Sequence, residues 1–182
     1  MFENQERIDR GIFNVIHVVQ GSQFVSDEPN TVLTTILGSC VATCITDPVR
    51  GVGGMNHFLL PEGSPDERQQ MRYGSHAMEL LINGLLKMGA RKDRMEAKLF
   101  GGAMMHDGLG KIGPANMEFA QKFLVNEGIR CVAKSLGGTD ARRIRYVPTT
   151  GQARQMIVRS SEVLVSRSSV GKSNDDDGIT IF

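Results

Sequence analysis

The sequence predicts an α/β domain built from short strands, on three observations. Twenty-one glycines among 182 residues imply many tight turns and close backbone approaches. Runs rich in β-branched residues, TVLTTIL and VATCIT among them, are separated by glycine- and proline-bearing breaks. Two longer stretches, residues 66–88 and 114–126, carry helix signals instead.

Taken in order, residues 1–11 are polar and read as a flexible N-terminus. Residues 13–19 (FNVIHVV) have strand composition, and GSQFVSDEPN at 21–30 reads as loop. Residues 31–37 and 41–46 are strands on either side of Gly38-Ser39-Cys40. Asp47-Pro48 marks a turn, and the strand at 52–60 is ended by Pro61. In the segment 66–88, Tyr73, Ala77, Leu81, Leu85 and Met88 fall on one helical face, with Gly89 as the stop after Lys87. Residues 95–100 form a strand running into Gly101-Gly102. The second helix, 114–126, has Pro114 in its first turn and Gly128 past its end. Strands at 129–133, 142–147 and 154–158 follow, the last two joined as a hairpin by Thr149-Thr150-Gly151. The stretch SRSSVGKSNDDDG cannot bury apolar surface, so 166–182 reads as a flexible acidic tail and 12–165 as one domain. The terminal Ile179-Thr180-Ile181-Phe182 turns apolar again, fit to dock on the body or a partner or to lie loose.

Composition narrows the function classes. Forty per cent hydrophobic and 23% charged residues are values of a soluble globular protein. A net charge of +1, with basic residues scattered, argues against nucleic acid or an anionic membrane as partner. No apolar run approaches the roughly 20 residues that span a bilayer, and the polar start MFENQERIDR lacks a signal peptide's apolar region. Three cysteines, an odd number, fit no complete disulfide framework, so the expectation is a reduced, cytoplasmic protein. The ten methionines read as adaptable core filler.

The chemistry concentrates in LGSC followed by GGMNHFLLP. Cys40 is a candidate nucleophile and His57 a candidate base, separated by 57 − 40 = 17 residues. That spacing suits a strand, a turn and a returning strand, which would bring thiol and imidazole side by side. Such a pair is the minimum equipment for covalent attack on an amide or acyl carbon. Gly38 and Ser39 offer backbone N–H groups that can lower the thiol pKa or hold a tetrahedral oxyanion. The imidazole also needs an orienting partner. Thr34, Thr35 and Ser39 are the nearest hydroxyls; Thr34 and Thr35 lie on opposite faces of a strand, so only one of them can serve. Asp47 belongs to the turn before the His57 strand and is disfavoured. Buried free cysteine is, however, also ordinary core material.

A metal site is the rival chemistry, with Cys40, Cys44, His57 and Cys131 as its four ligands. Its C-x₃-C spacing is not that of a structural zinc knuckle, so no metal is expected. His17, His76 and His106 occur singly and read as structural or solvated.

The run LGSC-V-A-x-C with GGMNHFLLP resembles CheD, the chemoreceptor glutamine deamidase family. The resemblance continues through YGSHAMELLINGLLKMGA, AKLFGGA, IGPANMEFA and LGGTDARRIRYVPTTG, over about residues 12–160. It implies a layered α/β sandwich, a mixed β-sheet packed by helices, in the manner of a cysteine hydrolase. It also implies hydrolysis of selected glutamine amides on cytoplasmic helices of methyl-accepting chemotaxis receptors, in chemotaxis adaptation, without a cofactor. By position it makes Cys40 the nucleophile, His57 the base and Thr34, six residues before the cysteine, the hydroxyl orienter. Two positions depart from the family pattern. Ile36 stands where T-x-G-x-G-S-C has its first glycine, and Gly137-Gly138 leads to Ala141-Arg142 where the family commonly has Gly-Arg. The family further implies a CheC-type phosphatase as a possible partner, and a docking protein with weak or no catalysis is the rival function. A third alternative keeps the thiol chemistry but resolves the thioester with an amine instead of water.

Overall fold

The computed structural model describes residues 13–60, 67–104, 112–158 and 179–182. The expectations for residues 1–11, His106 and residues 166–178 lie outside these. Among the described residues, ten strands and two α-helices follow in the order β1 (Asn14–His17), β2 (Gln23–Ser26), β3 (Thr31–Leu37), β4 (Val41–Asp47), β5 (Val52–Phe58), α1 (Glu67–Lys87), β6 (Glu96–Gly101), α2 (Ile112–Asn126), β7 (Arg130–Leu136), β8 (Ala141–Val147), β9 (Gln152–Val158) and β10 (Thr180–Ile181).

They form two mixed five-stranded sheets, ordered β1-β3-β8-β9-β10 and β2-β5-β4-β6-β7. Parallel pairing is confined to β1 with β3 and β6 with β7; every other pair is antiparallel. The predicted class is therefore correct, with the sheet doubled: one sheet packs face to face on the other, and both helices cover the outer face of the second. The period-2 alternation of the middle strands makes this possible. Ala42, Cys44, Met55 and Phe100 enter an inter-sheet core with Leu33, Leu37, Ile144 and Tyr146. Their neighbours Val41, Ile45, Val52, Phe58, Ala97 and Leu99 enter a second core with the helices. Both β4 and β5 are buried along their whole length, their polar members Thr43, Asn56 and His57 included.

Three expectations need correction. The segment expected as loop holds β2, which closes the edge of its sheet by pairing Gln23–Ser26 antiparallel with β5. Of the segment 166–182 read as a flexible tail, the last residues instead take the alternative of docking on the body. Residues 180–181 add to the edge of β9, and Phe182 exchanges backbone hydrogen bonds with Ala153 while its ring meets Phe100 edge-on at 5.3 Å. On α1, Tyr73 is exposed and the buried stripe runs through Gly74, Met78, Leu81, Ile82 and Leu85. Repeated i+4 steps overshoot a 3.6-residue turn, so the expected face drifts around the helix.

Candidate active site

Cys40 sits between β3 and β4, in a turn held from outside. The N–H of Gly102 donates to the Cys40 carbonyl at 2.8 Å and that of Ala103 to the Gly38 carbonyl at 2.9 Å. Gly101 passes so close that a Cβ there would fall 2.1 Å from the Cys40 carbonyl oxygen, and its φ of +111° suits glycine alone. From α2, the buried side chain of Asn116 donates to the Ser39 carbonyl at 3.1 Å and accepts from the Leu60 N–H at 2.8 Å. One amide thus ties the cysteine turn, the end of the β5 segment and the helix together. Gly38 and Ser39 occupy this turn as the sequence predicts.

His57 comes from β5, directly opposite Ala42 of β4. Cys40, one residue before β4 begins, packs against the inter-sheet core that Ala42 enters. The strand, turn and returning strand expected from the spacing are present, with β4 antiparallel to β5.

Thr35 and not Thr34 stands beside the imidazole. The Thr35 hydroxyl lies 2.9 Å from His57 Nδ1. The Thr34 hydroxyl donates to the Ile144 carbonyl at 2.8 Å. The reason is strand parity: Leu33 and Leu37 enter the inter-sheet core, so Thr35 shares their face and Thr34 takes the other. The expectation that Thr34 orients His57 is corrected on this ground.

The turn after β1 closes over the ring. The Val18 carbonyl lies 3.2 Å from His57 Nδ1, the Gly21 N–H donates to the His57 carbonyl at 2.7 Å, and the His57 N–H to the Ser22 carbonyl at 3.0 Å. Because a carbonyl can only accept, Nδ1 carries the proton, shared between Val18 and Thr35. Nε2 is then the bare nitrogen, and it is buried with no hydrogen-bond partner among the described residues. Burial depresses the imidazole pKa below its ordinary value, against the opposing effect of the Val18 carbonyl. The result is a neutral ring with its basic lone pair ready to accept a proton.

The Cys40 thiol is half-buried and donates to the Gln20 side-chain oxygen at 3.2 Å. Burial raises its pKa, opposed only in part by its own backbone N–H. Both shifts favour the uncharged forms, from which attack requires proton transfer from thiol to imidazole. Sequence reasoning missed Val18, Gln20 and Asn116. The dipeptide Gln20-Gly21 signals a turn but not where the turn lands, and Asn116 looks like any polar helix residue.

The other residues of the metal reading lie apart. Cys44 is sealed in the inter-sheet core and Cys131 is exposed on β7. Among the described residues, no group of three or more His, Cys, Asp or Glu is placed to share a metal ion.

Comparison with known proteins adds what geometry cannot. A probable chemoreceptor glutamine deamidase CheD of Cereibacter sphaeroides is 60% identical over 151 residues, covering 83% of this chain and 76% of that protein. A protein of the same description from Caulobacter vibrioides is 54% identical over 145 residues, covering 79% and 78%. Among solved structures, the Neisseria meningitidis protein NMB0706 aligns with a TM-score of 0.48 at 12% identity, over 74% of this chain and 69% of that one. The family model described as CheD chemotactic sensory transduction matches residues 59–156, and with relatives at this identity the chain belongs to the CheD family.

Proposed function

We propose that this protein hydrolyses glutamine side-chain amides of chemoreceptors to glutamate and ammonia, with Cys40 as nucleophile and His57 as base. The substrate class rests on the relatives, described as chemoreceptor glutamine deamidases. The chemistry rests chiefly on one observation, the buried Nε2 left bare by an imidazole anchored through Nδ1.

The cycle follows from the two neutral groups. His57 Nε2 takes the Cys40 proton, and the sulfur lone pair attacks the carboxamide carbon, opening its C=O to an oxyanion. The N–H groups of the Gly38–Cys40 turn are the candidate donors to that oxyanion; losing one such donor typically costs about 3 kcal/mol. When the C=O reforms, the C–N bond breaks and the imidazolium gives its proton to the leaving nitrogen, releasing ammonia and leaving a γ-glutamyl thioester. A water then gives one proton to Nε2 and attacks the thioester carbon. The C–S bond breaks, the proton returns to sulfur, and glutamate departs. The Thr35 hydroxyl and the Val18 carbonyl hold the ring and stabilise the imidazolium through Nδ1–H. Water as the only co-reactant balances every step.

The test is to incubate the protein with a purified receptor cytoplasmic fragment and follow peptide masses. Conversion of specific glutamines to glutamate is expected. Binding of the fragment without any mass change would overturn the reading in favour of a docking protein.

A further inference from the structure

Two features of the resting site are paired. The thiol hydrogen of Cys40 is given to Gln20 Oε1 at 3.2 Å, while His57 Nε2, the base of the deamidase reading, is buried without a hydrogen-bond partner among the described residues. A buried acceptor left unpaired is costly, so the arrangement calls for a reason. Gln20 reaches the sulfur from a turn pinned to the backbone of His57 itself, through the Gly21 N–H and the Ser22 carbonyl. The backbone at Gly21 has φ +83°, so the turn presents Gln20 from a fixed base, while its side chain is exposed and able to swing away.

We propose that Gln20 is an internal occupant of the carboxamide subsite, which a substrate glutamine must displace before Cys40 can react. This rests on the deamidase reading for the substrate's chemistry, though not for the contact. Gln20 ends in a primary carboxamide, the same group as the substrate, and the place beside Sγ that one carboxamide occupies can take another. Its oxygen faces the thiol hydrogen, so its carbon is not presented for attack. A carbonyl oxygen can bond the neutral thiol but only repel the thiolate. The contact therefore holds Cys40 protonated and directs its proton away from His57. An arriving amide that displaces Gln20 frees the S–H for Nε2, coupling substrate binding to activation of the nucleophile. Gln20 acts through Cys40 and is a positioning residue.

Alkylation of Cys40 by iodoacetamide, located by peptide mapping in full-length protein without receptor, reads the contact directly. Gln20→Ala is expected to speed alkylation at neutral pH by roughly three- to tenfold, the factor one net hydrogen bond represents. Gln20→Glu is expected to slow it below wild type, because a carboxylate beside the sulfur opposes the thiolate. Opposite signs from two substitutions at one position are not what a merely structural residue gives. With the receptor fragment, Gln20→Ala should lower KM by the same factor and leave kcat unchanged. Equal or slower alkylation in Gln20→Ala, at an unchanged melting temperature, would overturn the proposal. So would a fall in kcat at constant KM. If the wild type deamidates nothing, the alkylation pair still decides the role of Gln20, so the two readings fail separately.

Discussion

Strand β4 has an ionisable group at each end, and the two are built on opposite terms. At its far end the Asp47 carboxylate is wholly buried. It accepts from the N–H groups of Val49, Arg50 and Arg91 and from the Arg94 guanidinium, at 2.7–3.0 Å. Burial alone would raise its pKa. The N–H groups of Arg91 and Arg50 and the charge of Arg94 outweigh it and hold the carboxyl below the ordinary range. At the near end, burial raises the pKa of the Cys40 thiol and lowers that of the His57 imidazole, and Nε2 has no hydrogen-bond partner among the described residues. A saturated end fixes structure; an unsaturated end retains capacity to react.

Substitution separates the two ends most sharply. His57→Ala should cut the deamidation rate by about 10³-fold, the value of a positioned acid–base group, with little change in melting temperature. Asp47→Ala should do the reverse. It strands three N–H donors and one guanidinium, so urea unfolding should show a loss of about 3 kcal/mol or more, with the rate per folded molecule nearly intact. A large stability loss in His57→Ala would break the contrast.

Next in size is the threonine pair. Thr35→Ala is expected to lower kcat roughly five- to tenfold by freeing the ring, with Thr35→Ser restoring most of it. Thr34→Ala should leave kcat within about twofold and cost only about 1 kcal/mol of stability. The opposite ranking in steady-state kinetics would return the orienting role to Thr34.

The smallest effect is on pH dependence. His57 has a depressed folded pKa, so its neutral form favours the folded state. That contribution is present above the unfolded value of about 6.5 and is lost as pH falls from there through the folded value. Asp47 behaves alike in a lower window, its contribution present above about pH 4 and lost as pH falls through its depressed value. The acid limb of kcat/KM should accordingly have its midpoint below about 6.5, since the free enzyme needs bare Nε2. A midpoint above that would mean the imidazole is held as a cation.

Much of this was legible in the sequence because β3, β4, β5 and both helices announce themselves locally. The course of the chain from Cys40 to His57 was legible too, since strand, turn and returning strand fill those seventeen residues and β4 does pair antiparallel with β5. What escaped depends on partners distant in sequence. Four residues of β2 become a strand only because β5 offers an edge, and β10 only because β9 offers another. The choice between Thr34 and Thr35 escaped because β3 is apolar on both sides. Val32 and Ile36 alternate with Leu33 and Leu37, and nothing in that run tells which face meets the second sheet. Asp47 looked like a turn residue, for the four donor residues that surround it come from two separate stretches of chain.

In this reading the reactive thiol is the one at the turn before β4. Cys44 lies two residues beyond Ala42 on the same inter-sheet face, but fully buried, and burial pushes its thiol far up despite the charge of nearby Lys98. Comparing Cys40→Ser with Cys44→Ser against a receptor fragment therefore tests the claim most directly. Glutamine-to-glutamate conversion should vanish in Cys40→Ser and persist in Cys44→Ser. Conversion that survives in Cys40→Ser would contradict the account.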